Sequence, residues 1–174
     1  LRYNERVTIA GAEADDGRLV DAFVRIDEAR GEISLSYFEF GTLAAFLILA
    51  DAKLDVAVLE IGLGGRLDAV NLIDADAAIL TSVDLDHQDY LGDTRERIGW
   101  DKAHIFRGGR PAIVAAVDPP ESVFAVAAAI GAQVYALPAL ANADAQVFGA
   151  NGVVPETRAT VVQLNGLLDR KSVV

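Results

Sequence analysis

The sequence predicts an α/β fold, a mostly parallel sheet flanked by helices, and three observations carry that prediction. Short β-branched runs alternate with longer segments whose apolar residues recur at helical spacing, the order expected of strand–helix–strand units. The runs Asp55–Glu60 (DVAVLE) and Ala75–Ser82 (ADAAILTS) are apolar on both faces, which suits parallel strands covered by helices. With 174 residues, 52% hydrophobic and 24% charged, the chain can bury a substantial core, and its composition speaks against disorder.

The elements follow in order. Val7–Ala12 reads as a short strand, and Asp15, Asp16 and Gly17 as a turn after it. Leu19, Val20, Phe23, Val24 and Ile26 recur at helical spacing, predicting a helix over Leu19–Ala29 that Gly31 stops. Ser34 and Ser36 are candidate N-caps, and Glu39 stands three residues after Ser36 as in a capping box, so a buried helix is expected over Tyr37–Ala52. Asp55–Glu60 and Ala75–Ser82 are the first two sheet strands. Ile98, Ala103, Ile105 and Phe106 mark a helix over Thr94–Phe106, closed by Gly108–Gly109. Pro111–Ala115 is a third strand, Pro119–Ile130 a helix with proline at its start, and Val134–Leu137 a fourth strand. Beyond Leu140 the periodicity fades. The expected organisation is one domain over 1–140 and a tail, 141–174, of uncertain structure.

Charge and composition narrow the function. Fifteen Lys plus Arg against 26 Asp plus Glu give a net charge of −11, which repels phosphate backbones and anionic lipid, so neither nucleic acid nor membrane is an expected partner. Apolar runs such as Ala44–Ala50 fall far short of the roughly 18 residues of a spanning helix, and no signal peptide is apparent; the expected location is the cytoplasm. The absence of Cys removes disulfides, thiolate metal sites and cysteine nucleophiles, leaving oxygen ligands and two histidines for any metal. The chain starts at Leu1 and contains no Met, which suggests a piece of a longer protein. Against twelve Arg there are only three Lys, at 53, 102 and 171.

In parallel α/β sheets ligands bind beyond the carboxyl ends of the strands. Glu60 closes the first sheet strand and leads at once into Ile61-Gly62-Leu63-Gly64-Gly65-Arg66, a loop whose glycines let backbone approach a ligand closely. A strand-terminal acid followed by a flexible turn is the equally simple alternative. Gly62 and Gly64 begin a G-x-G-x-x-G dinucleotide pattern, but Leu67 occupies the third glycine's place, and the triphosphate-binding pattern G-x-x-x-x-G-K-[ST] is absent. After the second strand, His87 stands among Asp84, Asp86 and Asp89. It reads either as a structural histidine or as a partner of Glu60 at one sheet edge, where Mg²⁺ would accept carboxylate, waters and substrate phosphate and, less commonly, one imidazole. Lys102, on the following helix, reads as a solvated lysine or as a member of the same site.

Four ordered stretches carry a specific resemblance: Ser36–Thr42 (SYFEFGT), Leu59–Ala69 (LEIGLGGRLDA), Leu85-Asp86-His87, and Asp101–Arg107 (DKAHIFR). Together with Leu1–Val7 they resemble the folylpolyglutamate synthase and dihydrofolate synthase family of Mur-type ATP-dependent amide ligases, over about residues 1 to 137. The resemblance implies part of a Mur-ligase-like P-loop ATPase domain. It implies activation of a carboxylate by ATP as an acyl phosphate, then attack by the amino group of L-glutamate, on dihydropteroate or a reduced folate. By the same resemblance Glu60 and His87 bind Mg²⁺, His87 and a carbamylated Lys102 serve catalysis, and Ser36, Tyr37, Phe38, Glu39, Leu67, Asp68 and Ala69 contact the pterin. Carbamylation turns an ammonium that repels magnesium into a carboxylate that can orient it. A flat pterin face with adjacent N–H donors suits an aromatic ring and a carboxylate. The family's ATP loop and its C-terminal domain have no counterpart in the sequence, so the expected chain is the later part of an ATPase domain within a monomeric parent, inactive alone. Two other readings stand beside it: a non-catalytic pterin- or Mg²⁺-binding module, and a truncated, non-functional product.

Overall fold

The computed structural model describes residues 2–136 and the backbone of residues 160–165. The chain forms two compact units, residues 1–55 and residues 56–174.

In the first unit a 3-10 turn, Tyr3–Arg6, precedes strand β1, Thr8–Ile9, and strand β2, Ala12–Glu13, which pair antiparallel with Ile9 opposite Ala12. The expected single strand over Val7–Ala12 is therefore a hairpin. Its two linking residues, Ala10 and Gly11, have φ of 50° and 82°, the double positive that a two-residue hairpin turn requires. The expected turn at Asp15–Gly17 is instead the start of helix α1, Asp16–Arg30, because the Asp15 carboxylate accepts the Arg18 N–H as an N-cap. Helix α2, Tyr37–Asp51, begins in the full capping box anticipated at Ser36 and Glu39. Leu19, Ala22 and Ile26 of α1 bury against Ala44 and Ile48 of α2 together with Val7 and Ala14. Tyr3 meets the Phe23 ring edge-on at 5.6 Å, and Phe23 packs on Phe40 at the same separation. Burial of the large aliphatics, each contributing about 1.5–3 kcal/mol, fastens the helix pair.

The second unit is a parallel five-stranded sheet. Its strands are β3 (Val56–Glu60), β4 (Ala77–Leu80), β5 (Pro111–Val114), β6 (Gln133–Ala136) and β7 (Thr160–Asn165), in the spatial order β3-β7-β4-β5-β6. The first four correspond to the expected strands, shortened or shifted by a residue or two; Leu137, the expected end of the fourth, lies outside the described residues. β7 comes from the tail in which periodicity shows no element. It separates the consecutive strands β3 and β4, a pairing across about a hundred residues that local pattern does not report.

Helix α3, Gln88–Leu91, is one short turn. Helix α4, Arg95–Ala103, starts at an N-cap, Thr94, whose hydroxyl accepts the Arg97 N–H, and it stops before the fully buried Ile105 and Phe106, which were expected inside it. Arg107 explains the early stop: its Nη1 donates to the carbonyls of His104, Ile105 and Phe106 at 3.1–3.2 Å, holding the chain in a turn. Helix α5, Glu121–Ile130, follows Pro120, which offers no side-chain cap. The Glu96 carboxylate of α4 accepts the N–H groups of Glu121 and Ser122 at 3.2 and 2.9 Å in its place. These bonds, led by those from Ser122, hold the Glu96 carboxyl below the usual range. Leu80, Ile98, Ile105, Phe106, Val114 and Val123 form the centre of this unit's core.

Candidate functional site at the carboxyl edge of the sheet

Glu60 is the last residue of β3 and is exposed. The loop that follows is organised by Asp68. Its Oδ2 accepts the N–H groups of Gly62 and Leu63 at 3.1 and 2.8 Å, and its Oδ1 accepts the Val70 N–H at 2.9 Å, capping the 3-10 turn Ala69–Leu72. Burial nevertheless raises the Asp68 carboxyl above its ordinary value of 3.8, the desolvation of the charge outweighing the three N–H bonds that favour it. Of its predicted neighbours, Ala69 is half-buried, whereas Leu67 is 80% exposed.

The loop is seated on α4. A Cβ at Gly65 would stand 2.9 Å from the carbonyl oxygens of Asp101 and Lys102 and 3.0 Å from the Lys102 Cα, so only glycine lets the loop lie this close to the helix. The Asp101 carboxylate accepts the Arg66 backbone N–H at 3.3 Å and stands 3.9 Å from the Arg66 guanidinium, which lies 5.4 Å from the centre of the Trp100 ring. Farther along, Arg107 donates through Nη2 to the backbone and side-chain oxygens of Asn71 at 2.9 and 3.0 Å and pairs with Asp74. Asn71 Nδ2 in turn donates to the Arg66 and His104 carbonyls. The main chain at Lys102 and the loop bearing Asp68 thus lie together.

His87 follows β4 in a left-handed conformation, φ 49°, a region histidine enters more readily than most residues. Asp86 holds it: Oδ1 accepts the His87 N–H at 2.7 Å, and Oδ2 stands 3.5 Å from the ring Nε2. The ring is exposed, not sealed in the core. Across β7, Glu60 is level with Ile79 of β4, since both are registered with Leu164. Two strand spacings, roughly 9–10 Å, therefore separate the two strands that lead to Glu60 and His87. Among the described residues no three carboxylate or imidazole side chains gather into a cation site.

The other expected substrate contacts lie in the first unit. Ser36 and Glu39 spend polar atoms on each other's backbone: Ser36 Oγ accepts the Glu39 N–H at 3.2 Å, and Glu39 Oε2 accepts the Ser36 N–H at 2.7 Å, which lowers the Glu39 carboxyl. Tyr37 and Phe38 present their rings at 72% and 41% exposure, Tyr37 perpendicular to the Tyr3 ring with the two ring centres 6.0 Å apart.

Sequence reasoning passed over Asp101, Arg66 and Trp100 as functional candidates, although all three stand within or beside the motifs it singled out. Their adjacency to Gly65 and Lys102 in sequence is the only local signal; the contact between loop and helix is not visible from spacing.

Comparison with known proteins gives a consistent set of similarities. The model of the Mur ligase middle domain matches residues 23–166. A dihydrofolate synthase/folylpolyglutamate synthase of Escherichia coli (strain K12) is 51% identical over 132 residues, 76% of this chain and 31% of the relative. The protein of the same name from Haemophilus influenzae is 48% identical over 134 residues, 77% of this chain and 30% of the relative. Among solved structures, E. coli FolC in complex with DHPP and ADP matches with a TM-score of 0.77 and 49% identity, over 78% of this chain and 33% of that one. The bifunctional folylpolyglutamate synthase/dihydrofolate synthase with Mn, AMPPNP and L-glutamate bound gives 0.75 and 54%, over 78% and 34%. The chain spans about a third of the length of these relatives.

Proposed function

The chain belongs to the Mur ligase family through its middle domain, and from that premise we propose that it serves as part of an ATP-dependent ligase joining L-glutamate to dihydropteroate, to reduced folates, or to both. The observation that carries the reading is the seat of the Gly62–Arg66 loop on the Asp101–Lys102 backbone at the carboxyl edge of a parallel sheet, which unites the loop, Asp68 and the root of Lys102 where such sheets bind ligands. Residues 1–140 are read as the partial central domain, to whose sheet Thr160–Asn165 adds the strand between β3 and β4.

In the proposed reaction a substrate carboxylate oxygen attacks the γ-phosphorus of ATP, ADP leaves, and the amine of glutamate then displaces phosphate from the acyl carbon. Glu60 and His87 would hold Mg²⁺, which would neutralise phosphate charge. The chain supplies two donors, and this suits an ion that completes its octahedron with waters and substrate phosphate. Lys102, whose ammonium would lose two protons as its nitrogen adds to CO₂, would place a carbamate carboxylate beside the loop. Tyr37 and Phe38 offer rings to a flat pterin, and Leu67 and Ala69 flank Asp68; Ser36 and Glu39 would act chiefly by fixing the helix start that carries the two rings. The proposed location is the cytoplasm and the proposed parent a monomer; no helix among the described residues is long and apolar enough to cross a membrane.

A chimera tests the assignment. The matching 132 residues of this chain replace their counterparts in the E. coli relative, and ADP release dependent on dihydropteroate and glutamate is measured. The chimera should turn over, Glu60→Gln and Lys102→Arg should each abolish turnover, and the isolated 174-residue chain, which has no phosphate-cradling G-x-x-x-x-G-K-[ST], should release no ADP. A folded chimera without activity, or one indifferent to both substitutions, overturns the proposal.

A further inference from the structure

We propose that Asp101 is a positioning residue that locks the Gly62–Arg66 loop onto α4, so that the loop and the main chain at Lys102 form one rigid piece of the site. This deepens the ligase reading and names a residue which that reading leaves without a role.

Three contacts converge on the lock. The Asp101 side chain is only 17% exposed, and it accepts the Arg66 N–H at 3.3 Å. Asp101 Oδ1 also lies where a Cβ at Gly64 would come within 2.5 Å, so the carboxylate fills the space beside that glycine. Gly65 rests on the carbonyls of Asp101 and Lys102. On the outer side Arg66 is held between the Asp101 carboxylate and the Trp100 ring, whose centre lies 4.8 Å from a second guanidinium, that of Arg97. Asp68 stabilises the loop from within by accepting Gly62 and Leu63, while Asp101 fastens it from outside through Arg66. Without the Asp101 contact the Gly62–Arg66 segment would keep its internal bonds but lose its hold on the side of α4, while ties such as that of Asn71 to His104 remain farther along.

The chain's single tryptophan, Trp100, stands at the lock and reports on it. The experiment compares the 174-residue chain with Asp101→Asn, Asp101→Ala and Gly65→Ala. The amide hydrogen exchange of residues 62–66 and the Trp100 emission are followed beside the global melting temperature. Asparagine keeps an oxygen that can accept the Arg66 N–H, so exchange in Asp101→Asn should stay close to wild type. Asp101→Ala removes that acceptor and should speed exchange of the Arg66 amide about tenfold, the upper end for one hydrogen bond, with a change in Trp100 emission and protection in α5 unchanged. Gly65→Ala, whose methyl cannot fit against the Lys102 backbone, should release the same amides by an independent route. Unchanged exchange in both Asp101→Ala and Gly65→Ala, or an Asn variant as loose as the Ala variant, would overturn the lock. The ligase reading is judged separately, by dihydropteroate-dependent turnover of the chimera, whose failure would leave the exchange results standing.

Discussion

Replacing Asp68 by Ala removes the carboxylate that accepts three backbone N–H groups at 2.8–3.1 Å. The Val70 N–H belongs to a buried residue, and losing its cap costs about 1 kcal/mol. The donors at Gly62 and Leu63 are exposed and regain water, so each lost bond amounts to about 0.5–1 kcal/mol. Against this stands the relief of a charge that is poorly solvated where it lies, as the raised Asp68 carboxyl shows. The net is a destabilisation of about 1–2 kcal/mol at neutral pH, or about 3–6 °C in Tm for a chain of this size. The pH dependence has a definite sign. Because the folded carboxyl binds its proton more tightly than the unfolded one, the associated stability is complete below the ordinary value of 3.8 and is lost as pH rises through the raised folded value. Melting followed by circular dichroism across acid and neutral pH should therefore show a deficit for Asp68→Ala that is largest in acid and shrinks upward. Asp68→Asn, which keeps one accepting oxygen, should fall between. A Tm within about 1 °C of wild type throughout, or a deficit that grows with pH, would refute the assignment of Asp68 as the organiser of the loop.

Three further outcomes are expected. Glu96→Gln should lower the melting temperature at neutral pH, and because the folded Glu96 carboxyl is depressed, its stabilisation is present above the ordinary value of 4.5 and lost as pH falls through the folded value; melts of wild type and variant should converge in acid. Gly41→Ala would put a methyl 2.1 Å from the Tyr3 hydroxyl and should destabilise the first unit by about 1–3 kcal/mol in urea unfolding, while Tyr3→Phe in the same chain should recover most of the loss, the next ring atom being 3.4 Å away. Val162→Pro should cost about 3 kcal/mol or more, because every N–H of a central parallel strand serves one neighbour or the other; hydrogen exchange should show β3 losing protection, β4 losing it for the amides bonded to β7, and β5 and β6 retaining theirs.

Local chemistry was legible in the sequence wherever cause and effect lie within a few residues. The Ser36–Glu39 capping box, the helical periods of α1 and α5, and the apolar runs that became β3 and β4 all follow from neighbours at most four positions apart. The ordered stretches around Glu60, Asp68, His87 and Lys102 also belong here, since a glycine-rich turn after a strand-end acid is written in consecutive residues. Even nearby signals misled where two local solutions compete: Asp15 could close a turn or cap a helix, and Thr8–Glu13 could run straight or reverse, with burial of Val7 and Ala14 against the helices accompanying the observed choice.

What only the tertiary structure decided is where distant groups meet. β7 lies between two strands about a hundred residues earlier, Glu96 caps a helix 25 residues later, and Asp101 takes an N–H from 35 residues before it. The physical reason is common to all three. A strand, helix-end or loop N–H drawn against another element takes an acceptor there, and the acceptor need not be near in sequence; packing of α4 against α5 and of the Gly65 backbone against Lys102 determines which oxygen arrives. The sequence thus specifies the donors and acceptors, while the pairing among them exists only once the sheet and helices have closed together.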